Sequence, residues 1–186
     1  MSGDILRLRW TGAAPRLQSE RLIMRGPEPD DFPAFAAMWS DRDVIRYITK
    51  DPLNEENSWF GFLRIAGHWP MMGYGYWMVI EKDTGDLVGE VGFVDFKRTL
   101  TPSLKGQPEI GWVFAAAAHG KGYATEAAKA ALEWGDEHFN GARMSCIIDI
   151  DNAPSIRVAK KCGFTESART KYKDDDIIIF HRGEKN

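Results

Sequence analysis

Residues 115–130 read AAAAHGKGYATEAAKA, and what flanks them restricts the fold more than any other stretch of the chain. PEIGWVF (108–114) before them reads as a strand. Tyr123, Ala127, Ala131 and Trp134 then give an apolar stripe at helical spacing, running to about His138. ARMSCIIDI (142–150) follows as a largely apolar strand of the kind covered on both faces. A helix held between two such strands calls for a sheet with helices laid on it.

The rest of the chain extends that sheet. RLQSERLIMRGP (16–27) reads as a first strand. EPDDFPAFAAMWSD (28–41) is a helix with Asp30 or Asp31 as its N-cap, and NEENSWFGFLRIAGHW (54–69) is a second, running from Asn54 to Gly67 and Pro70. YGYWMVIEK (74–82), the turn DTGD and LVGEVGFVDF (87–96) form a hairpin, and the polar stretch 97–107 is a loop. NAPSIRVAKKCG (152–163) is a short helix with Asn152 near its start and Gly163 after its end, and a closing hairpin turns at 173–175. The expectation is one α+β domain over 16–183 behind a lead-in at 1–15. Its layers are α/β/α, with a mixed, mostly antiparallel sheet of about seven strands and about four helices.

Glycine beside a helix start makes the turn at 119–122 an anion site in waiting. The first N–H groups of a helix lack internal partners, and the macrodipole adds positive character. Gly120 and Gly122 carry no side chain to hold an anion away. A P-loop is excluded, because GxxxxGK[ST] is absent; a dinucleotide fingerprint fails at Thr125, where a small residue is needed. The four histidines and two cysteines have no metal-ligand spacing, so no metal is expected. A net charge of −3 favours neither nucleic acid nor an anionic membrane, and no apolar run approaches the roughly 20 residues of a membrane span. Charges in MSGDILRLRW, where a signal peptide needs an apolar core, and the absence of a disulfide framework point to a reduced cytoplasmic protein.

HGKGYA (119–124) resembles the acyl-CoA signature [QR]-x-x-G-x-[GA] of the GNAT acetyltransferase superfamily, with His119 where Gln or Arg is usual. LQSERLIMR, PEIGWVF, TEAAKAALEWG and NAPSIRVAKKCGF are similar, in the right order, to segments of the branch that acetylates ribosomal-protein N-termini. The resemblance covers roughly residues 16–182. It implies acetyl-CoA as cofactor, an amine acceptor, and a sheet splayed between its fourth and fifth strands (108–114 and 142–150). The pyrophosphate then lies on the backbone of the turn from His119, Gly120, Lys121 and Gly122 to Tyr123, Ala124 and Thr125. The pantetheine lies along Trp112, Val113 and Phe114, with Asn152 and Ser155 close to the thioester. Homodimers are common among such proteins.

Acetyl transfer to an amine needs removal of a proton, donors for the thioester oxygen, and an acid for the leaving thiolate. The resemblance makes Glu109 the base or acceptor-binding carboxylate, often through water; pairing with an arginine is the bland alternative. A Tyr often serves as acid in the family, but Ala159 stands at that position. Ser155 is then the substitute, against a role in helix capping, and Tyr172 is a distant alternative. Asn152 bonds pantetheine or the strand end. Trp39, Tyr47, Tyr76 and Trp77 are candidates for the acceptor wall, and DRDVIRYITKDP (41–52) for its mobile gate. The expected activity is acetyl transfer to a protein α-amine or a small primary amine by direct attack in a ternary complex. A non-catalytic acyl-CoA-binding domain would keep the turn and lose the acid and base.

Overall fold

The computed structural model describes residues 13–183. Most of the expected lead-in, residues 1–12, lies outside the described residues. Its last part is fastened down: the Pro15 carbonyl accepts a hydrogen bond from the Trp77 indole at 2.8 Å, and Ala14 packs on the core.

Eight strands form one sheet in the order β1-β2-β3-β4-β5-β6-β8-β7. They are β1 (Leu17–Gln18), β2 (Leu22–Arg25), β3 (Tyr76–Glu81), β4 (Leu87–Val94), β5 (Glu109–Phe114), β6 (Met144–Asp149), β7 (Thr165–Tyr172) and β8 (Asp175–Arg182). Every pairing is antiparallel except β5 with β6. The eighth strand arises because the expected first strand folds back on itself. Ser19 N–H bonds the Leu22 carbonyl at 3.0 Å, so 17–18 and 22–25 become a small hairpin.

The helices are α1 (Phe32–Ser40), the short α2 (Arg42–Ile45) within the expected gate, α3 (Glu55–Met72), α4 (Tyr123–His138) and α5 (Ala153–Lys161). Helix α3 runs through Gly67 and Pro70, where an end was expected. Pro70 forfeits one N–H bond without stopping the last turn, and the chain leaves the helix at Gly73 (φ 75°), whose N–H bonds the Trp69 carbonyl.

Two cores follow from alternation along the strands. Trp77, Val79, Phe93, Ile110 and Phe114 point to the face covered by α4 and α5. Tyr76, Met78, Val94 and Val113 point to the face covered by α1 and α3. The loop 97–107 is anchored by Leu100 and Leu104, which pack on Ile177 and Ile179 of β8.

Strands β5 and β6 meet only at their start. Glu109 pairs with Ser145, whose N–H bonds the Pro108 carbonyl at 2.9 Å, and no further pair follows. This is the expected splay. It leaves one edge of β5 without a ladder in the middle of a sheet, open to an extended ligand.

Candidate active site

The glycine turn closes one end of the split. Gly120 (φ 77°) and Gly122 (φ 84°) both sit in the left-handed region that side chains disfavour. Gly122 is the N-cap of α4, and no side chain caps the helix there. Among the described residues, a Cβ at Gly120 would meet nothing within 4 Å, so that side of the turn is open. The tight turn and the access for an anion coincide.

The side chains of the turn mostly look elsewhere. His119 Nε2 lies 2.9 Å from the Phe114 carbonyl; because that oxygen only accepts, this nitrogen carries the proton and ties the turn back to β5. The Tyr123 hydroxyl donates to Glu81. Lys121 lies with its ammonium 5.7 Å from the Tyr123 ring centre, and its carbonyl accepts from Arg21 at 2.9 Å.

Arg21 is the residue here that the sequence reading missed. It is held by Glu126, which accepts from the Arg21 backbone N–H and Nε, both at 2.8 Å, and from the Ser19 hydroxyl at 2.7 Å. Burial opposes the Glu126 charge, but these hydrogen bonds outweigh it and hold the carboxyl below its ordinary pKa. The guanidinium stacks 4.6 Å above the Tyr123 ring, beside the turn. Its sequence separation of about a hundred residues from the turn left no local signal.

At the other end, Asn152 caps α5, its Oδ1 accepting from Ser155 N–H at 3.1 Å. The Ser155 hydroxyl receives the Trp112 indole N–H at 3.4 Å, a contact that spans the split. Asn152 thus has a capping role while the Ser155 hydroxyl does not cap, and both residues line a cavity of about 780 Å³.

That cavity lies against the face under α1 and α3. Trp39, Tyr47 and Tyr76 line it as expected, together with Arg64, Phe96 and Tyr172. Trp77 does not. It is 0 % exposed on the opposite face, between Trp69 and Trp134, because strand alternation turns it away from its neighbour Tyr76.

Four carboxyls line the cavity, Glu90, Glu109, Asp149 and Asp175, and of these Glu90 and Glu109 are buried. Glu109 is buried and clamped by Arg98 from the 97–107 loop: Nε lies 3.0 and 2.9 Å from the two carboxylate oxygens, and a second nitrogen lies 2.8 Å from Oε1. Burial would lower the Arg98 pKa, but the hydrogen bonds and charge of Glu109 prevail and raise it. The bland alternative, pairing with an arginine, is what Glu109 does.

The second buried carboxyl, Glu90 on β4, had no place in the sequence reading, where it was one letter in the apolar run LVGEVGFV. It is 1 % exposed, and among the described residues its Oε2 has no hydrogen-bond partner. Burial pushes its pKa up to about 8, against the Trp39 indole N–H and the positive charge of Arg64, which both favour the anion. The indole lies against the carboxyl without reaching full hydrogen-bond geometry.

Cross-strand register orders these groups. Met78, Glu90 and Val113 form one row; Tyr76, Gly92 and Gly111 the next; Val94, Glu109 and Ser145 the third. Gly111 has no side chain because the Tyr76 hydroxyl occupies that space, 2.0 Å from where a Cβ would be. The Tyr76 ring thus crosses the sheet between the two buried carboxyls. Its own pKa is raised, chiefly by burial and then by the charges of Glu90 and Glu109. Cys146 and Cys162 are buried thiols raised in pKa by that burial, not nucleophiles.

Among the described residues, no group of His, Cys, Asp or Glu could hold a metal ion, and no helix is long and apolar enough to cross a membrane. The arrangement is a parted parallel strand pair, an amide-lined turn at one end and an acceptor-sized cavity beside it. Comparison with known proteins agrees with it. The profile of the Acetyltransferase (GNAT) domain matches residues 21–165. The protein YkkB of Bacillus subtilis (strain 168) is 30 % identical over 181 residues, covering 94 % of this chain and 99 % of its own. The N-acetyltransferase YnaD of the same organism is 33 % identical over 147 residues, covering 79 % and 81 %. Among solved structures, a GNAT-family acetyltransferase from Bacillus anthracis superposes with a TM-score of 0.76 at 28 % identity, covering 91 % of this chain and 98 % of that one. The chain belongs to the GNAT acetyltransferase family, whose cofactor is acetyl-CoA.

Proposed function

We propose that the protein transfers the acetyl group of acetyl-CoA to a primary amine, either a protein α-amine or a small-molecule amine, by direct attack in a ternary complex. The observation that carries this reading is the split between β5 and β6, with the bare amides of the turn at one end and the cavity opening beside it. The pyrophosphate rests on the amides from Gly120 to Thr125, and Arg21 adds a cation beside them. The pantetheine pairs with the free edge of β5 at Trp112, Val113 and Phe114, as an added strand would. Ser155 receives the Trp112 N–H, which leaves its own O–H to donate to the departing sulfur, the role left vacant by Ala159. Trp39, Tyr47 and Tyr76 receive the acceptor. We place the protein in the cytoplasm, on its free thiols and the character of its sequence.

The Arg98 clamp on Glu109 and the missing tyrosine would equally suit an acyl-CoA-binding domain without catalysis. A panel of primary amines and peptide N-termini, with CoA release followed by a thiol reagent, separates the two. Both protein thiols are buried and give little background. Transfer to at least one amine is expected; saturable acetyl-CoA binding with no transfer to any of them would leave the binding domain. Replacing Gly120 and Gly122 together by Asp should abolish CoA binding in a chain that still melts cooperatively. Unchanged CoA affinity would refute the phosphate assignment.

A further inference from the structure

We propose that Glu90, and not Glu109, takes the proton of the acceptor ammonium, on the carboxylate oxygen Oε2 that the fold leaves without a partner at the wall of the acceptor cavity. The inference rests on the transferase reading above.

Three observations lead there. Glu109 has both oxygens occupied by Arg98, so accepting a proton would break a buried ion pair. Glu90 has no such partner. A buried carboxyl oxygen without a hydrogen bond is costly, and a fold that keeps one in a cavity wall leaves it for a ligand. Glu90 also lies opposite Val113 on β5, the strand along which the thioester must run, so the proton acceptor and the reacting carbon share one part of the sheet.

The groups around Glu90 fit the role. From α1, the Trp39 N–H favours the carboxylate. From α3, Arg64 adds a more distant positive charge while stacking 4.7 Å over Phe96. From β3, the Tyr76 ring stands between Glu90 and the Arg98–Glu109 pair, and Met78 and Val113 flank the carboxyl with apolar surface. Burial prevails over the two groups that stabilise charge, and Glu90 titrates near 8.

An alkylammonium has a pKa of about 10, so sharing its proton with a carboxyl near 8 leaves roughly 1 % of pairs as neutral amine and carboxylic acid; with an ordinary carboxylate the share is a few per million. For an α-amine, near 8, about half the pairs are already neutral. Proton transfer runs through a water in the cavity, since Glu90 is 1 % exposed.

The step then balances. The ammonium gives one proton to Glu90, and the freed lone pair forms the C–N bond to the thioester carbon. The C–S bond breaks with its electrons on sulfur. The Ser155 hydroxyl gives its proton to that sulfur and takes the nitrogen's second proton in exchange, giving the amide and CoA thiol, and Glu90 returns its proton to solvent.

Amines of graded basicity test this. With n-butylamine, Glu90→Gln should lower kcat by 100-fold or more, the range of general-base catalysis. With 2,2,2-trifluoroethylamine, already neutral at pH 7, it should lower kcat less than threefold. Glu109→Gln should affect both amines alike. Trp39→Phe removes a donor from the Glu90 carboxylate and should move the acidic limb of the pH–rate profile upward, a shift that a loss of packing alone would not produce. Equal losses for both amines in Glu90→Gln, or a basicity-dependent loss in Glu109→Gln, overturn the assignment. If the wild type acetylates no amine, the transferase reading fails by itself. Glu90 is then judged with CoA and n-butylamine: amine-dependent quenching of tryptophan fluorescence that Glu90→Gln abolishes supports it as the amine's partner, and quenching unchanged or absent in both proteins overturns it.

Discussion

A carboxyl that titrates near 8 inside the folded protein must leave a mark on stability whether or not any substrate is present. The ordinary value for Glu90 is 4.5, and the folded value about 8. Between them the native state holds a proton that the unfolded chain has released, so unfolding stability falls as pH rises. The sign follows from the raised pKa: the contribution is whole below 4.5 and is lost progressively up to 8. The slope is about 1.4 kcal/mol per pH unit, and the gap of 3.5 units makes the total on the order of 5 kcal/mol. For a chain of 186 residues this corresponds to roughly 10–20 °C in melting temperature. Glu90→Gln keeps the shape and has no proton to lose. The measurement is denaturant unfolding of both proteins from pH 5 to 8.5, taken as a difference so that other titrating groups cancel. The variant should gain steadily on the wild type across that range and stop gaining above about pH 8. If the two curves run parallel, Glu90 does not change its protonation in this window, and the electrostatic argument for it is wrong.

Other perturbations read other parts of the site. Arg98→Met should cost about 3–5 kcal/mol by stranding the Glu109 charge, and adding Glu109→Met should recover most of it; a double-mutant cycle in urea measures the coupling. Arg21→Ala should weaken CoA binding several-fold in calorimetry and flatten its dependence on salt, because a cation beside the turn is lost. Gly122→Ala should cost about 1–2 kcal/mol for its φ of 84° and also raise the Kd for CoA, whereas Gly67→Ala, inside α3 with nothing near its Cβ position, should do neither. Gly111→Ala should displace the Tyr76 hydroxyl and raise the KM for the amine more than that for acetyl-CoA, seen in two-substrate kinetics.

What could be read from the letters was what depends on neighbours in sequence. The glycine turn, the α4 stripe, the helix cap at Asn152 and the order of elements are local patterns, and the structure has them. Two boundaries moved for local reasons of a finer kind. The Ser19–Leu22 turn split a strand, and α3 ran past Pro70 to a better stop at Gly73. Of the groups gathered around the split, those that come from one short stretch were legible, and those that arrive from afar were not. Arg21 reaches the turn across about a hundred residues, and Arg98 reaches Glu109 from a loop that showed only its Pro and Gly content. Trp77 was misplaced by one residue of alternation: Tyr76 and Trp77 are equally aromatic, and only the pleat decides which of them meets the cavity. Glu90 could have been noticed as a single charge in a run otherwise apolar or glycine.

The two buried carboxyls matter because the same fold treats them in opposite ways. Both lie on the cavity side of the sheet, two rows apart, and both are almost wholly out of water. Burial disfavours the anion at Glu90. At Glu109, Arg98 fills both oxygens. Nothing does so at Glu90, where one indole N–H and one distant guanidinium are weaker than burial. Tyr76, lying across Gly111, separates the pair with a ring rather than with water, so the clamp on one does not reach the other. Here one group holds a loop against the cavity and the other is left able to exchange a proton.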